Sequence, residues 1–168
     1  MSRRCVTLVL GGARSGKSRH AEEIVTALPG PWLYVATAEP LDDEMRARIA
    51  QHRARRGIGW QTIEAPLDVA AAMGARPGPA LVDCLTLWLT NLLLGGRDVA
   101  AATQRLLAAL DERTEPTVLV ANEVGLGVVP DNALGRAFRD AAGRLNQQLA
   151  ARADAVLFMV AGLPMRLK

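Results

Sequence analysis

The feature that most constrains this chain is a glycine-rich segment near its start, Gly11-Gly12-Ala13-Arg14-Ser15-Gly16-Lys17-Ser18. It matches the pattern G-x-x-x-x-G-K-[ST] at every fixed position, and that pattern is typical of a phosphate-binding loop. A short apolar run at 5–10 precedes the loop, and residues 17–28 carry apolar side chains at helical spacing. The sequence therefore predicts a strand, a phosphate-binding loop and a helix in that order.

The residue types of this loop suit a bound nucleotide. Glycines let backbone N–H groups converge on phosphate oxygens, and the N-terminus of the following helix adds partial positive charge. Lys17 is expected to reach the β- and γ-phosphates, and the Ser18 hydroxyl is expected to bind Mg²⁺. The loop therefore indicates a protein that holds a nucleotide through its phosphates.

Strands and helices alternate along the rest of the chain. The predicted strands are the apolar runs 5–10, 32–37, 60–64, 80–84, 117–121 and 155–161, with a further edge strand at 163–168. The predicted helices are 17–28, 42–56, 66–73, 85–94, 99–113 and 132–152. This alternation is typical of right-handed βαβ units. We therefore predict one α/β domain over residues 1–168, with a P-loop NTPase-like fold and a mostly parallel sheet flanked by helices.

Charge and cysteine usage narrow the class of partner. The net charge of +3 is carried by eighteen arginines and two lysines, with no aromatic-rich basic platform beside them. We therefore expect a small anionic substrate and no nucleic acid. The two cysteines lie far apart in apolar runs without metal-ligand spacing, which is typical of reduced thiols in a cytoplasmic protein. Asp83 interrupts the best candidate for a membrane span, so we expect no insertion into a membrane.

Two carboxylates lie at the ends of predicted strands, where the ligands of parallel α/β sheets bind. Asp83 is a candidate Mg²⁺ ligand beside Ser18, or alternatively the cap of the helix that follows. Glu123 is either an acid of the metal site or a loop carboxylate held by backbone N–H groups. The residues alone leave both pairs of alternatives open.

The chain has two histidines, and both lie in predicted helices. His20 follows the phosphate loop and is expected to be a structural partner of its helix. His52 shares the apolar stripe of an arginine-rich helix with Met45 and Ile49. Nearby positive charge favours its neutral imidazole, the form with a nucleophilic lone pair. From the residues alone, His52 is either a nucleophile or a packing residue.

Longer blocks of sequence carry more information than the phosphate loop. They are the loop extended through Arg19-His20-Ala21-Glu22, then Tyr34-Val35-Ala36-Thr37, Leu41-Asp42-Asp43-Glu44-Met45, His52-Arg53, Thr90-Asn91-Leu92-Leu93, Asn122-Glu123-Val124-Gly125-Leu126-Gly127-Val128-Val129-Pro130 and Phe138-Arg139-Asp140. Over essentially the whole chain, these blocks resemble the bifunctional adenosylcobinamide kinase/adenosylcobinamide-phosphate guanylyltransferase family of cobalamin biosynthesis.

The resemblance implies an activity and a set of site residues. The implied enzyme phosphorylates the aminopropanol hydroxyl of adenosylcobinamide with ATP or GTP. It then transfers GMP from GTP to that phosphate through a guanylylated histidine, whose position His52 matches. With His52, Lys17 is the implied catalytic residue. The implied nucleotide contacts are Gly11, Gly12, Ala13, Arg14, Ser15, Gly16, Lys17, Ser18, Ala36, Thr37, Ala38, Arg53, Ala54, Arg55, Arg56, Glu64 and Asp83.

The predicted cofactor is Mg²⁺, held by Ser18 and Asp83, with GTP and ATP as substrates. The resemblance also implies an oligomer, and we predict a trimer. Two other functions are compatible with the phosphate loop. A simple small-molecule kinase would need no covalent intermediate and would make His52 a packing residue. A GTP-binding switch module would use residues 122–130 as a switch loop.

Overall fold

The computed structural model describes residues 5–39 and 43–168. Within these ranges, the side chains that lie outside the description are those of Glu44, Met45, Arg48 and Arg55. Three predictions therefore fall outside the described part of the chain. They are the helix start at Asp42, the nucleotide contact of Arg55 and the position of the Met45 side chain on the apolar stripe.

In the described part, seven strands and six helices alternate along the chain. The strands are β1 (Val6–Gly11), β2 (Trp32–Ala36), β3 (Trp60–Glu64), β4 (Ala80–Asp83), β5 (Thr117–Asn122), β6 (Ala155–Val160) and β7 (Leu163–Arg166). The helices are α1 (Lys17–Thr26), α2 (Asp43–Arg55), α3 (Val69–Gly74), α4 (Leu85–Leu94), α5 (Val99–Glu112) and α6 (Ala133–Arg152). The predicted boundary that differs most from these is the start of α3.

The sequence predicts that α3 begins at Pro66, but the helix begins at Val69. Its N-cap is Asp68, whose side chain accepts a hydrogen bond from the Ala71 amide at 3.2 Å. An aspartate at this position satisfies one of the amides that the first turn leaves without an intrahelical partner. The cap therefore determines where the helix begins, and Pro66 lies in the segment before it.

All seven strands belong to one sheet, in the order β3-β2-β4-β5-β1-β6-β7. Neighbouring strands are parallel except β6 and β7, which are antiparallel. Ala36 pairs with Asp83 across β2 and β4, and Gly11 pairs with Asn122 across β1 and β5. The carboxyl ends of these four strands therefore lie side by side, where parallel α/β sheets bind their ligands. The predicted mostly parallel sheet, with its added edge strand, is confirmed.

Two apolar layers cover the two faces of the sheet. One joins the strands to helices α3 to α6, and the other joins them to α1 through Ala21 and Val25. Because successive side chains of a strand point to opposite faces, β1 gives Leu8 and Leu10 to the first layer and Val9 to the second. The strand before the phosphate loop is therefore anchored in both layers.

Helix α4 is apolar along its length but has only ten residues. Crossing a bilayer as a helix takes about 20 predominantly apolar residues. Within residues 5–39 and 43–168, no helix has the length and apolar character that a membrane span requires.

Candidate active site

The loop between β1 and α1 needs glycine at two of its positions. A Cβ atom added to Gly11 would lie 2.5 Å from the Ser15 Oγ and 2.9 Å from the Met159 carbonyl oxygen, closer than packing allows. Gly16 has a φ of 89°, in the left-handed region that glycine adopts at little cost. The glycines are therefore required by the shape of the loop before any ligand is considered.

Lys17 is the first residue of α1, and the loop itself holds its side chain. The side chain is buried, and Nζ donates a hydrogen bond to the Gly12 carbonyl at 2.9 Å. The turn between β6 and β7 also braces the loop, because the Gly162 amide donates to the Ser15 carbonyl at 3.1 Å. The ammonium and the positive end of α1 are thus held together, an arrangement that favours a phosphate group.

A cleft of about 530 Å³ opens next to this loop, at the carboxyl ends of the strands. Its volume lies in the range of small-molecule sites, about 300–1,000 Å³. The predicted site residues that line it are Lys17, Ser18, Ala36, Ala38, His52, Arg53, Arg56, Glu64 and Asp83. Gly11 ends β1, residues 12–16 form the loop directly before Lys17, and Ala54 is an exposed residue of α2 outside the lining. The structure thus brings nine of the eighteen predicted site residues into the lining of one cleft.

Thr37 is fully buried and joins the ends of β2 and β4. Its hydroxyl donates to the Cys84 carbonyl at 2.6 Å and accepts from the Cys84 amide at 2.9 Å. Its own carbonyl accepts a hydrogen bond from the Asn91 side chain at 2.9 Å. The Thr37 side chain therefore has a structural task, and its contact with a nucleotide stays a prediction.

Asp83 is half-buried in the cleft wall, at the end of β4. Its Oδ2 accepts a hydrogen bond from the Tyr34 hydroxyl at 2.9 Å. Burial, and then the charge of Asp83, raise the pKa of Tyr34 well above its usual range, so the phenol stays protonated and donates. The N-cap of α4 is Cys84, so the alternative of Asp83 as that helix's cap is not what the structure has.

Three residues that carry oxygen atoms suited to Mg²⁺ lie in the wall of the cleft. Ser18, Asp83 and Asn122 all line it. The Asn122 Oδ1 is buried and has no hydrogen-bond partner among the residues that the structure describes. Mg²⁺ prefers hydroxyl, carboxylate and carbonyl oxygens and keeps several waters. The residues present therefore fit the ion, and Asn122 adds an amide oxygen to the two predicted ligands.

Glu123 follows Asn122 but is not part of the cleft lining. Its Oε1 accepts a hydrogen bond from the Gly125 amide at 2.6 Å. The Gly125 carbonyl in turn accepts from the Arg139 side chain at 2.7 Å. Of the two alternatives that the sequence leaves open for Glu123, the structure supports the carboxylate that organises its own loop.

Helix α2 presents His52 to the cleft. Ile49 and His52 lie about one turn apart and are half-buried, whereas the other described side chains of α2 are exposed. Beyond them, Arg53 forms an ion pair with Glu64 of β3. The Arg56 Cζ lies 3.5 Å from the centre of the Tyr34 ring, within the range of a cation–π contact. These two contacts hold the C-terminal end of α2, the histidine helix, against the sheet.

His20 lies on α1 and is not part of the cleft lining. Its Nδ1 is 3.6 Å from Oε2 of Glu23, one turn further along the same helix. The structure therefore gives His20 the helix-partner role that the sequence predicts. His52 is the histidine that the cleft contains.

Cys84 lines the cleft with a buried thiol, a residue that the sequence indicates only as core. Burial, and then the charge of Asp83, raise the pKa of Cys84 to about 11. The thiolate is the reactive form of cysteine, so this thiol is almost entirely protonated and inert at pH 7.

We expect Cys84 in a Cys5→Ser variant to resist iodoacetamide at pH 7. An ordinary thiol is already half ionised at about pH 8.5. Because the pKa of Cys84 is raised, its thiolate fraction keeps growing about tenfold per pH unit well beyond that pH. The rate of alkylation, followed by intact-protein mass spectrometry, should therefore still rise steeply from pH 8 to pH 9.5. Free glutathione is the control, since its rate levels off. Fast alkylation of Cys84 at pH 7 would contradict the raised pKa.

The sequence matches known proteins along nearly its whole length. A family model described as cobinamide kinase / cobinamide phosphate guanyltransferase matches residues 7–167. The chain is 49% identical over 166 residues to the bifunctional adenosylcobalamin biosynthesis protein CobP of Pseudomonas aeruginosa, with 96% of each chain covered. It is 46% identical over 179 residues to the protein CobU of the same description from Salmonella typhimurium, covering 96% of this chain and 98% of the relative.

A solved structure shares the fold without close sequence similarity. It is a prototypical ATPase from the type III secretion system of pathogenic bacteria, with a TM-score of 0.60 and 9% identity. The match covers 98% of this chain and 57% of that chain. At this identity the likeness concerns the fold alone, and it confirms the predicted P-loop NTPase-like architecture.

Proposed function

The chain belongs to the cobinamide kinase / cobinamide phosphate guanyltransferase family, and we propose that a single cleft serves both reactions. In the first, adenosylcobinamide is phosphorylated with ATP or GTP. In the second, GMP passes from GTP to the new phosphate and gives adenosylcobinamide-GDP. The near full-length match to two bifunctional relatives supports the pair of activities.

The observation that carries the single-cleft proposal is that His52 and Lys17 line the same cleft. A phosphate loop by itself is enough for a kinase, because phosphoryl transfer depends mainly on positioning and charge neutralisation. A histidine in the same cleft adds a nucleophile for the same nucleotide. The cleft therefore has the parts for two kinds of attack on one triphosphate.

In the kinase reaction, the loop amides and Lys17 bind the β- and γ-phosphates. The substrate hydroxyl attacks the γ-phosphorus, the bond from that phosphorus to the bridging oxygen breaks, and the nucleoside diphosphate leaves. The hydroxyl proton passes to solvent. No strong base is required for such a transfer, which agrees with the engagement of the Glu123 carboxylate in its own loop.

In the guanylyl transfer, the neutral imidazole of His52 attacks the α-phosphorus of GTP. The bond between the α- and β-phosphates breaks, and pyrophosphate leaves. A phosphate oxygen of adenosylcobinamide phosphate then attacks the same phosphorus, the phosphorus–nitrogen bond breaks, and the imidazole is restored. The covalent intermediate divides one difficult displacement into two easier ones.

Negative charge accumulates on the phosphates in both reactions. Mg²⁺ held by Ser18, Asp83 and Asn122 would neutralise part of it. Lys17 contributes from the loop side, and the lining residues Arg46, Arg53 and Arg56 make the opposite wall basic. The resemblance implies an oligomer, and the trimer stays a prediction of ours. The exposed Leu126, Val128 and Val129 of the loop after β5 are compatible with a subunit contact.

We expect wild-type protein given α-labelled GTP and Mg²⁺, without corrinoid, to acquire covalent label and to release pyrophosphate. A phosphoramidate is lost in mild acid and persists in mild base, so the label should show that pattern. GTP labelled at the γ-phosphate is the matched control and should leave the protein unlabelled. Release of inorganic phosphate without covalent label would favour a simple kinase, and retention of intact GTP would favour a switch module.

A further inference from the structure

Tyr34 contacts both walls of the cleft, and the two reactions above give it no task. Its hydroxyl donates to the Asp83 Oδ2 at 2.9 Å, on the metal side. Its ring lies 3.5 Å from the Arg56 Cζ, just beyond the histidine helix. We propose that Tyr34 is a positioning residue that orients the Asp83 carboxylate toward Mg²⁺ and seats Arg56 against the nucleotide. The inference rests on the proposed function, because it assigns a task within that same cleft.

The register of the sheet explains why the hydroxyl reaches Asp83. Across the parallel β2–β4 pair, Tyr34 lies beside Leu81, and Ala36 lies beside Asp83. Side chains two positions apart on a strand share a face, so Tyr34 and Asp83 point to the same side of the sheet. One paired position of the two strands separates Tyr34 from Asp83, and the phenol ring is long enough to span it.

The ring itself is held rigidly. Tyr34 is only 3% exposed. Trp60 packs edge-on against it, with ring centres 5.7 Å apart and planes at 82°. Trp32 supports Trp60 in turn, with ring centres 5.6 Å apart. A side chain fixed in this way can impose an orientation on the groups it contacts.

The bond to Oδ2 restricts rotation of the Asp83 carboxylate and leaves its other oxygen available. An ionised carboxylate has about four lone-pair sites, so accepting one phenol hydrogen does not exhaust it. Mg²⁺ demands near-ideal octahedral geometry and gains from ligands that are already oriented. Partners of metal-binding carboxylates typically change metal affinity by about 10–100-fold when they are removed.

On the other side, the Tyr34 ring gives Arg56 a fixed seat. A guanidinium stacked on an aromatic face keeps its N–H donors at its edge, where they can bind phosphate or base oxygens. Arg56 is half-buried and lines the cleft. One aromatic side chain therefore sets the spacing between Asp83, in the proposed Mg²⁺ site, and Arg56, just beyond the end of α2.

Tyr34→Phe separates the two contacts, because it removes the hydroxyl and keeps the ring. The probe is a GTP analogue with a methylene group between the α- and β-phosphates, which cannot transfer GMP. The readout is the ratio of its dissociation constants without and with Mg²⁺. We expect Tyr34→Phe to lower this ratio about tenfold and to leave binding without Mg²⁺ unchanged. Thr103→Val, which removes a buried hydroxyl within α5, is the matched control and should keep the ratio.

A second background tests whether Tyr34 acts through Asp83. In Asp83→Ala, the further change Tyr34→Phe should not lower the ratio again. Tyr34→Leu, which also removes the ring, should weaken binding without Mg²⁺ as much as Arg56→Gln does. An unchanged ratio in Tyr34→Phe, or an additional loss in the Asp83→Ala background, overturns the inference. Both of these outcomes leave the proposed function standing.

The wild-type protein offers a readout that needs no variant. Tyr34 is the single tyrosine of the chain, so the tyrosine doublet in its Raman spectrum reports this hydroxyl alone. The doublet should show a strong hydrogen-bond donor, and the spectrum of an unbonded phenol would overturn the inference. A wild-type protein that binds the analogue without any effect of Mg²⁺ would contradict the proposed function, and this inference with it.

Discussion

Replacing His52 by alanine is expected to abolish guanylyl transfer and to leave phosphorylation of adenosylcobinamide largely intact. In the mechanism that we propose, the imidazole forms the bond to the α-phosphorus during guanylyl transfer, whereas the kinase reaction takes its nucleophile from the substrate. Loss of a covalent nucleophile typically costs about 10⁴-fold or more in kcat. Kinase activity should stay within about tenfold, because only one wall of the cleft changes. Separate assays with α-labelled and γ-labelled nucleotide measure the two rates.

The second histidine makes the control clean. His20 lies on α1 beside Glu23 and outside the cleft lining. His20→Ala should therefore still acquire covalent label from α-labelled GTP. Label that persists in His52→Ala but disappears in a folded His20→Ala would reassign the nucleophile.

Replacing Lys17 by alanine is expected to disable both activities together. In the single-cleft proposal, both reactions build negative charge on a triphosphate held by the same loop, and the Lys17 ammonium lies at the head of α1 beside that loop. Removing one donor that stabilises such charge costs about 10²–10³-fold in kcat. We expect a loss of at least this size in each assay. Normal guanylyl transfer in the variant would show that a second nucleotide site exists.

The other lysine is the matched control. Lys168 donates to the carbonyls of Ala150, Ala151 and Ala153 near the end of α6, far from the loop in the fold. Lys168→Ala should retain both activities. Thermal unfolding of Lys17→Ala separates lost chemistry from lost folding, because that change also removes the donor to the Gly12 carbonyl.

The sequence predicts the parts of this fold that depend on local signals. The strand, loop and helix around Lys17 are correct because apolar patterning, glycine and helix spacing all act within a few residues. The predicted start of α3 at Pro66 is wrong because Asp68 caps the helix, and a capping aspartate is itself a local signal. The order of strands in the sheet is a property of long-range pairing, and no motif in the sequence specifies it.

The candidate site likewise has parts that local signals predict and parts that depend on long-range pairing. A polar residue at a strand end predicts that Asp83 lies at the ligand-binding edge of the sheet, because parallel strands present their carboxyl ends at one edge. The bond between Tyr34 and Asp83 joins residues 49 positions apart and depends on the register of β2 against β4. The burial of Thr37 depends on the same pairing. Contacts of this kind follow from the assembled sheet and not from residue types.

The two halves of the cleft tolerate sequence change very differently. On the loop side, Gly11 leaves no room for even a methyl group. On the α2 side, no described side chain of the helix is fully buried, and the neighbouring edge strand β3 has none either. Exposed substitutions usually alter the free energy of unfolding by no more than about 0.5 kcal/mol. Folding therefore constrains the phosphate loop closely, whereas the exposed positions of the histidine helix are constrained mainly by selection for activity. A lineage that no longer needed guanylyl transfer would lose it by drift in α2 and would keep a stable kinase.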